Sequence, residues 1–376
     1  KHAWNLVHIC AGAVSRHARG LIGPTLFDMS RSPRRLPVLL AIGALTLTGC
    51  ASTPARTAAA HKPLPSATSS PSLPPAPARR YFWPLTGLPA STALTTPALS
   101  IKIDNAPGAR PQSGLDKADM VFECLVEGGM SRFLAVYHSQ AASLIGPIRS
   151  ARPVDGALLR ALHGGIFAYS GAATGEIAPA KAYSTAYLLS NDYDSVPFHR
   201  SRSRSAPSNV YASTASLRAE AGRHSGRLQA PPSLFAYGPA SLGARPTTGV
   251  TLRIGGQASA VWKRSGPEYL RWENGTPHLL DNGQQVHARN VVLIHVQVTG
   301  SGITDAAGNE DPFVLAYGAG NIEVLRDGVV ERGHWSRPTV AAPFQFTSDH
   351  GGALTLASGQ TWVELIPTAG SASIAS

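Results

Sequence analysis

Three dipeptides in the second half of the chain restrict its fold more than any other feature. Asn274-Gly275, Asn282-Gly283 and Asp327-Gly328 are typical of two-residue hairpin turns of the primed type, which need positive φ angles. Nine strand-like runs occur at short intervals between residues 251 and 365. The chain also contains 37 glycines and 30 prolines, which favours many turns over a helical bundle. We therefore predict a mostly antiparallel β domain over residues 236–376.

Residues 81–235 show a different pattern, in which strand-like and helix-like segments alternate. Apolar periodicity predicts strands at Leu99–Ile103, Met120–Glu127, Arg132–His138 and Ile166–Tyr169, with a hairpin turn at Gly128-Gly129. The predicted helices are Pro153–His163, Ala178–Leu189 and a short one near Ala215–Gly222. The rest of residues 200–245 is rich in Arg, Ser and Pro and is predicted to be loop. The fold class is therefore α+β, with a mixed α/β N-terminal domain followed by the β-rich C-terminal domain.

The segment from Met29 to Cys50 has the layout of a bacterial export signal. Three arginines precede the apolar run Leu36–Leu47, which is shorter than the roughly 20 residues that a membrane-spanning helix needs. We expect a signal peptide over residues 29–49 and, over residues 1–28, upstream translated sequence that is not native. The ending Leu47-Thr48-Gly49-Cys50 resembles the lipobox of bacterial lipoproteins. That resemblance implies a diacylglyceryl group on Cys50, a membrane partner and an extracytoplasmic location.

The charge of the chain is concentrated near its N-terminus. The formal net charge is +11, but ten of the 33 basic residues and only one of the 22 acidic residues precede residue 81. Residues 50–80 are predicted to be the lipidated cysteine followed by a Pro/Ala/Ser-rich linker. The remaining chain carries 23 basic and 21 acidic residues and is near neutral. This balance, together with the expected location, excludes nucleic acid as a partner.

The positions of the three cysteines indicate a structural role for Cys124. Cys10 lies in the upstream segment and Cys50 is the predicted lipid acceptor, so Cys124 has no partner for an intramolecular disulfide bond. In the predicted strand, Met120, Phe122 and Cys124 share one face. We therefore predict that Cys124 is a small core side chain and not a reactive thiol.

One group of residues in the N-terminal domain suggests an anion-binding site. Arg149, Ser150 and Arg152 stand immediately before the helix predicted to start at Pro153. Helix N-termini attract anions, and arginine recognises carboxylate and phosphate with paired hydrogen bonds. Further contributors from neighbouring segments are Arg110, Gln112, Ser113 and Arg132. The alternative is an internal ion-pair network in which the arginines bind Glu123, Glu127 and Asp155, and the sequence leaves both open.

Other chemistry has weaker support. Glu123 and Glu127 are possible acid/base residues, but four residues of strand separate them by about 13 Å. Paired glycosidase carboxylates stand roughly 5–9.5 Å apart. Cross-strand pairing of Glu127 with Arg132 is the better interpretation. The 13 histidines form no metal-ligand motif. We predict no catalytic residue, no metal site and no cofactor.

Several of these segments resemble, in matching order, the YerB-like lipoproteins, a bacterial family of unknown function with an N-terminal and a C-terminal domain. The resemblance covers nearly all of residues 81–367. The segments that carry it are Ile103–Asn105, Ala109–Leu115, Ala118–Glu123, Glu127–Phe133, Gly146–Arg152, Ala206–Asn209, Gly333–Trp335 and Gly359–Trp362. It implies a lipid-anchored, extracytoplasmic protein of two domains without an established enzymatic activity.

Two functions follow as hypotheses. The first is a non-catalytic binding or scaffold module of the cell envelope, whose partner is an anionic cell-wall component or an envelope protein. The second is an extracytoplasmic hydrolase or transferase that acts on cell-wall material, with Glu123 or Glu127 as acid/base. The sequence favours the first, because it contains no recognisable pair of nucleophile and base and no metal-ligand set.

Overall fold

A computed structural model describes residues 80–224, 228–304 and 308–376. These residues all belong to one compact unit. The predicted upstream segment, the signal peptide, the lipidation of Cys50 and residues 51–79 of the linker lie outside the described residues.

The described residues form three α-helices, α1 (Pro153–Ala161), α2 (Thr174–Tyr183) and α3 (Thr214–His224). Short 3-10 turns occur at Pro107–Ala109, Leu115–Lys117 and Glu127–Gly129. The first strands are β1 (Tyr81–Phe82), β2 (Pro89–Ala90), β3 (Leu99–Asp104), β4 (Met120–Leu125), β5 (Ser131–Tyr137), β6 (Ile166–Tyr169), β7 (Tyr187–Ser190), β8 (Phe198–Arg200) and β9 (Val210–Ala212). The next are β10 (Ala236–Tyr237), β11 (Arg245–Pro246), β12 (Gly249–Arg253), β13 (Ser259–Ser265), β14 (Glu268–Glu273), β15 (Thr276–Pro277), β16 (His287–Ala288), β17 (Asn290–Val296) and β18 (Val298–Thr304). The last are β19 (Glu310–Val314), β20 (Gly318–Arg326), β21 (Val329–Arg337), β22 (Gln345–Ser348), β23 (Thr355–Leu356), β24 (Thr361–Pro367) and β25 (Ser371–Ala375).

An eleven-stranded mixed sheet runs through the centre of the molecule in the order β11-β21-β20-β17-β24-β4-β5-β3-β6-β7, with β22 beside β21. Strand β24 pairs in parallel with β4, so that Glu364 lies opposite Glu123. Strands from both sides of the predicted domain boundary at residue 235 therefore form one sheet, and the boundary itself stays a prediction. None of the helices within the described ranges is long and apolar enough to cross a membrane.

The two faces of this sheet are covered by different structures. A six-stranded antiparallel sheet, β15-β14-β13-β12-β25 with β16 beside β14, shares one buried core with the first face. There, Trp362 packs edge-on against Trp262 and Phe133, with ring centroids 5.3 and 5.1 Å apart. Helices α1 and α2 cover the second face, where Leu158 and Cys124 belong to the same buried cluster. Cys124 is fully buried, which confirms its predicted place in the core.

The α+β fold class is confirmed, and so are most of the predicted elements. The predicted helix Ala178–Leu189 is wrong at both ends, since α2 ends at Tyr183 and residues 187–190 form strand β7 beside β6. The reason is that these apolar residues extend the central sheet by parallel pairing, which outweighs the local helical pattern. Helix α2 also packs tightly on α1, because a Cβ at Gly156 would lie 2.4 Å from the backbone of Pro179.

Two of the three predicted hairpin turns have the expected backbone. Asn274-Gly275 has φ angles of 47° and 84°, and Asp327-Gly328 has 52° and 78°. The prediction is wrong for Asn282-Gly283, where only Gly283 has a positive φ, of 81°. Its amide donates to the carbonyl of Leu280 at 3.0 Å, so the turn begins at Leu280, one residue earlier than the primed turn requires.

Candidate functional site

Arg152 lies at the start of α1 and points into the protein. It is 5% exposed, and three carboxylates surround its guanidinium. Glu127 accepts hydrogen bonds from Nε, at 2.7 Å, and from Nη2. An oxygen of Glu176 lies 3.0 Å from Nη1, and Asp311 lies 3.3 Å from Nε. The described contacts of Arg152 are therefore those of an internal cation and not of a surface one.

Glu127 is the centre of this first network. Its Oε1 also accepts a hydrogen bond from Arg132 at 2.6 Å, which confirms the predicted pairing of these two residues. Burial opposes ionisation of Glu127, but the hydrogen bonds from Arg152 and the charge of Arg132 outweigh it and lower its pKa to about 2. Glu127 is therefore a permanent anion at neutral pH.

Asp311 brings an unusual carboxyl group to the same network. It lies on β19, is 2% exposed, and neither of its oxygens has a hydrogen-bond partner among the described residues. Burial raises its pKa to about 7, although the charge of Arg152 acts in the opposite direction. Asp311 can therefore gain or lose a proton near neutral pH.

A second network surrounds Arg271 of β14, which is fully buried between the two sheets. Its Nη2 donates to Glu123 at 2.6 Å, its Nη1 donates to Glu273, and its Nε lies 4.0 Å from Glu364. Burial and the charge of Glu123 raise the pKa of Glu364 well above the usual value. The indole of Trp262 donates to Glu364 at 2.8 Å. Arg271 thus links β14 in the C-terminal part of the chain to β4 in the N-terminal part.

The structure separates the two glutamates proposed as acid/base residues. Glu123 belongs to the Arg271 network and accepts from Ser131 at 2.6 Å, whereas Glu127 belongs to the Arg152 network. Neither pairs with the other in the described contacts. Asp155 accepts from the fully buried Lys102 at 2.7 Å and from the amide of Arg152 at 2.7 Å, which holds the first turn of α1.

Two other predicted site residues, Gln112 and Arg149, lie between the buried networks and the surface. Gln112 is buried and bridges the carbonyl of Asp104, at 3.0 Å, and the ring of His278, at 2.8 Å. Arg149 is partly exposed, with Nε 3.3 Å from Asp104 and Nη1 3.5 Å from the hydroxyl of Ser150. These residues connect the buried networks to the surface.

Arg110, which is partly exposed, and Ser113, which is buried, line two neighbouring cavities. The first, which we call the arginine cleft, has a volume of about 660 Å³ and is lined by Gly108, Arg110 and residues 203–208. Arg110 lies with Nη1 3.3 Å from Glu273, and this nitrogen has no hydrogen-bond partner among the described residues. Arg204 also lines the arginine cleft and donates to the carbonyls of Gly108, at 3.0 Å, and Pro111, at 2.6 Å.

The sequence also contains a signal for Arg204, although none of the predicted site segments includes this residue. Residues 200–205 read Arg-Ser-Arg-Ser-Arg-Ser, and no acidic residue occurs between Asp194 and Glu220. Strands β8 and β9 hold this segment as a loop, which the amide of Ser201 closes by donating to the carbonyl of Asn209 at 2.8 Å. An alternation of cations and hydroxyls suits anion binding, because both side chains donate hydrogen bonds.

Comparison with known proteins places these features in a family. Residues 85–227 match the family described as "Protein of unknown function (DUF3048) N-terminal domain", and residues 250–363 match the DUF3048 C-terminal domain. The chain belongs to the DUF3048 family. The predicted YerB-like resemblance is confirmed, because the chain is 28% identical over 306 residues to the Bacillus subtilis protein named "Putative lipoprotein YerB". That alignment covers 79% of this chain and 89% of the relative.

The DUF3048 fold is also seen in the crystal structure of YerB protein from Bacillus subtilis. It superposes with a TM-score of 0.65 and 24% sequence identity, and the match covers 78% of this chain and 99% of that chain. The arginine cleft lies within the segment that matches the N-terminal domain of the family. Since the family descriptions give the function as unknown, an account of function has to start from the chemistry of the cleft.

Proposed function

We propose that this protein is a lipid-anchored, extracytoplasmic protein of the bacterial cell envelope that binds an anionic component of the cell wall in its arginine cleft, without catalysing a reaction. The observation that carries the proposal is the convergence of Arg110 and Arg204 on one open cavity of about 660 Å³. Residues 94 positions apart in the sequence supply the two guanidiniums.

The chemistry of the cleft supports an anionic ligand. Both guanidiniums keep donors that the described hydrogen bonds do not use, and arginine binds carboxylate and phosphate through paired donors. Ser203, Ser205 and Ser208 add hydroxyl groups to the lining. Because the loop carries three arginines and no acidic residue, its local potential favours the approach of an anion.

The proposed location rests on the N-terminal sequence and on the relative. The lipobox-like ending at Cys50 and the naming of the relative YerB as a lipoprotein both support lipidation. If residues 51–80 are extended, they reach roughly 90 Å at 3.1 Å per residue. The folded part would then be placed within the cell-wall layer.

The alternative, a hydrolase or transferase that uses Glu123 or Glu127, has less support. Both carboxylates are buried, and each is held by an arginine. A general acid at neutral pH needs a pKa near 7, whereas the pKa of Glu127 is about 2. A binding function requires neither carboxylate to move or to exchange a proton.

Calorimetric titration of the full chain in detergent with inorganic phosphate and pyrophosphate tests the binding proposal. We expect pyrophosphate to bind, and both Arg204→Gln and Arg110→Gln to weaken binding at least tenfold. The matched control is Arg332→Gln, which removes an exposed arginine from β21. Failure of the wild type to bind either anion, or an equal loss in the control, would contradict the proposal.

Two further measurements address the partner and the anchor. Sedimentation with isolated cell walls should carry the protein down, and added pyrophosphate should release it. If instead only an envelope protein retains it, the partner is a protein.

Replacement of Cys50 by Ala should move the protein from the detergent phase to the aqueous phase, because lipid on this residue is the proposed anchor. Unchanged partitioning of that variant would refute the anchor.

A further inference from the structure

We propose that the anionic group is carried by a sugar, and that the sugar ring occupies a second cavity beside the arginine cleft. This inference rests on the proposed function and specifies its ligand as an anionic saccharide. The second cavity, which we call the hydroxyl cleft, has a volume of about 340 Å³. Small-molecule sites span about 300–1,000 Å³, so the hydroxyl cleft suits a ligand portion the size of a single ring.

The two clefts are neighbours with a shared wall. Ser203 and Arg204 line both, so a ligand held by Arg204 contacts a residue that borders the two clefts. Ser113, which follows Arg110 by three residues, lines the hydroxyl cleft. The predicted anion-binding segment Arg110–Ser113 therefore contributes one residue to each.

The charge of the hydroxyl cleft argues against a second anion. Asp281 lines this cavity at an exposed turn and accepts a hydrogen bond from Ser113 at 2.6 Å. An ionised carboxylate only accepts hydrogen bonds and has about four acceptor sites, so Asp281 can accept further donors. A phosphate or carboxylate placed beside it would be repelled, whereas a sugar hydroxyl would donate to it. The ligand is thereby divided into a charged part and a neutral, hydroxylated part.

The aromatic residues of the hydroxyl cleft fit the same ligand. His199 and Tyr211 are paired across β8 and β9, with ring centroids 6.1 Å apart and planes inclined by 28°. Tyr211 is buried and His199 is exposed, so a sugar can pack its apolar C–H groups against the His199 ring while its hydroxyls bind polar neighbours. Gly146 leaves room for the ring of Tyr211, because a Cβ there would lie 2.5 Å from it. Burial raises the pKa of the Tyr211 phenol more than the charge of Arg204 lowers it, so its hydroxyl stays a donor at neutral pH.

Titration of the full chain in detergent with matched probes tests this inference. The probes are inorganic phosphate, glucose 6-phosphate, N-acetylglucosamine 6-phosphate, N-acetylmuramic acid and triglutamate. We expect at least one saccharide anion to bind tenfold or more tightly than inorganic phosphate. Asp281→Asn should abolish this advantage without weakening phosphate, and Arg204→Gln should weaken both. Asp349→Asn, at an exposed aspartate outside the clefts, is the matched control.

The outcomes separate this inference from the proposed function. If phosphate binds and no saccharide anion binds more tightly, the sugar assignment is overturned while the anion site stands. A preference for triglutamate over every saccharide would overturn it in favour of an acidic peptide. If no anion binds, the proposed function fails as well. Retention of the sugar advantage by Asp281→Asn would exclude the hydroxyl cleft as the place of the sugar.

Discussion

The interior arginines and the cleft arginines differ in what surrounds them. Arg152 and Arg271 each face three carboxylates, and their side chains are 6% and 0% exposed. Of the cleft arginines, Arg110 is partly exposed and faces one carboxylate, that of Glu273 at 3.3 Å. Arg204 donates to two backbone carbonyls and forms no salt bridge with a described residue. Buried charges require partners, whereas a charge at an open cavity keeps part of its binding capacity for a ligand.

The interior networks also have a common architectural position. Arg152 precedes α1 in the N-terminal part and meets Asp311 of β19, while Arg271 of β14 meets Glu123 of β4. Each network therefore joins the two parts of the chain that the central sheet already connects. Arg110 contacts Glu273 of the Arg271 network, whereas Arg204 contacts no described carboxylate. Both cleft arginines border a cavity that residues 203–208 also line.

The largest effect is expected for Arg271→Met, which keeps most of the volume and removes the charge. Glu123, Glu273 and Glu364 would lose their shared cation in the interior. Breaking such a buried set costs about 3–5 kcal/mol. Urea denaturation measures this loss, and Arg332→Met, at an exposed position, should stay within about 0.5 kcal/mol of the wild type. A loss below about 1 kcal/mol for Arg271→Met would remove the distinction between interior and cleft arginines.

The next largest effect is expected at Asp311, whose protonation should make the stability of the fold depend on pH. Its pKa is raised from the ordinary 3.8 to about 7 in the folded chain. Between these values the folded chain holds a proton that the unfolded chain releases, so stability should fall as pH rises and become constant above about 7. The charged groups that face it are Arg152, Glu127, Glu176 and Arg132.

Replacement of Asp311 by Asn tests this dependence, because an amide resembles the protonated acid. The variant should be more stable than the wild type at pH 8, by on the order of 2 kcal/mol, and close to it near pH 4. Urea denaturation at several pH values measures both curves. Parallel curves for the two proteins would show that folding does not raise the pKa of Asp311 and would contradict this prediction. Asp349→Asn, which changes an exposed carboxylate, provides the control.

The sequence could predict local pairs but not distant ones. Glu127 and Arg132 are five residues apart around a Gly-Gly turn, so a hairpin pattern was sufficient to pair them. Glu123 and Arg271 are 148 residues apart, and only the parallel pairing of β24 with β4 and the stacking of the two sheets bring them together. Periodicity describes which face of a strand is buried, but it does not say which distant residue will cover that face.

The sequence predicted one segment of the candidate site but not the residue that faces it from a distant loop. The segment Arg110–Ser113 was recognised, and the structure places its first and last residues at the two clefts. Arg204 was missed because the loop around it has no periodicity, although its alternation with serine was visible. Arg132 and Arg152 look the same in sequence as the cleft arginines. Their environment differs because Glu127 binds both of them in the folded chain, and because Glu176 and Asp311 also face Arg152.

The smallest effect on stability is expected for Arg204→Gln, the same substitution that should weaken anion binding at least tenfold. The side chain contributes two hydrogen bonds to the carbonyls of Gly108 and Pro111 at the surface, where water can replace them. A net hydrogen bond is worth about 0.5–1.5 kcal/mol, and exposed ones lie at the lower end. Urea denaturation should therefore show a loss of about 1 kcal/mol, several times smaller than that of Arg271→Met. If Arg204→Gln instead destabilises the protein as much as Arg271→Met, the Arg204 guanidinium is needed to hold the loop in place. Its effect on anion binding would then follow from loss of the arginine cleft and not from loss of a contact with the ligand.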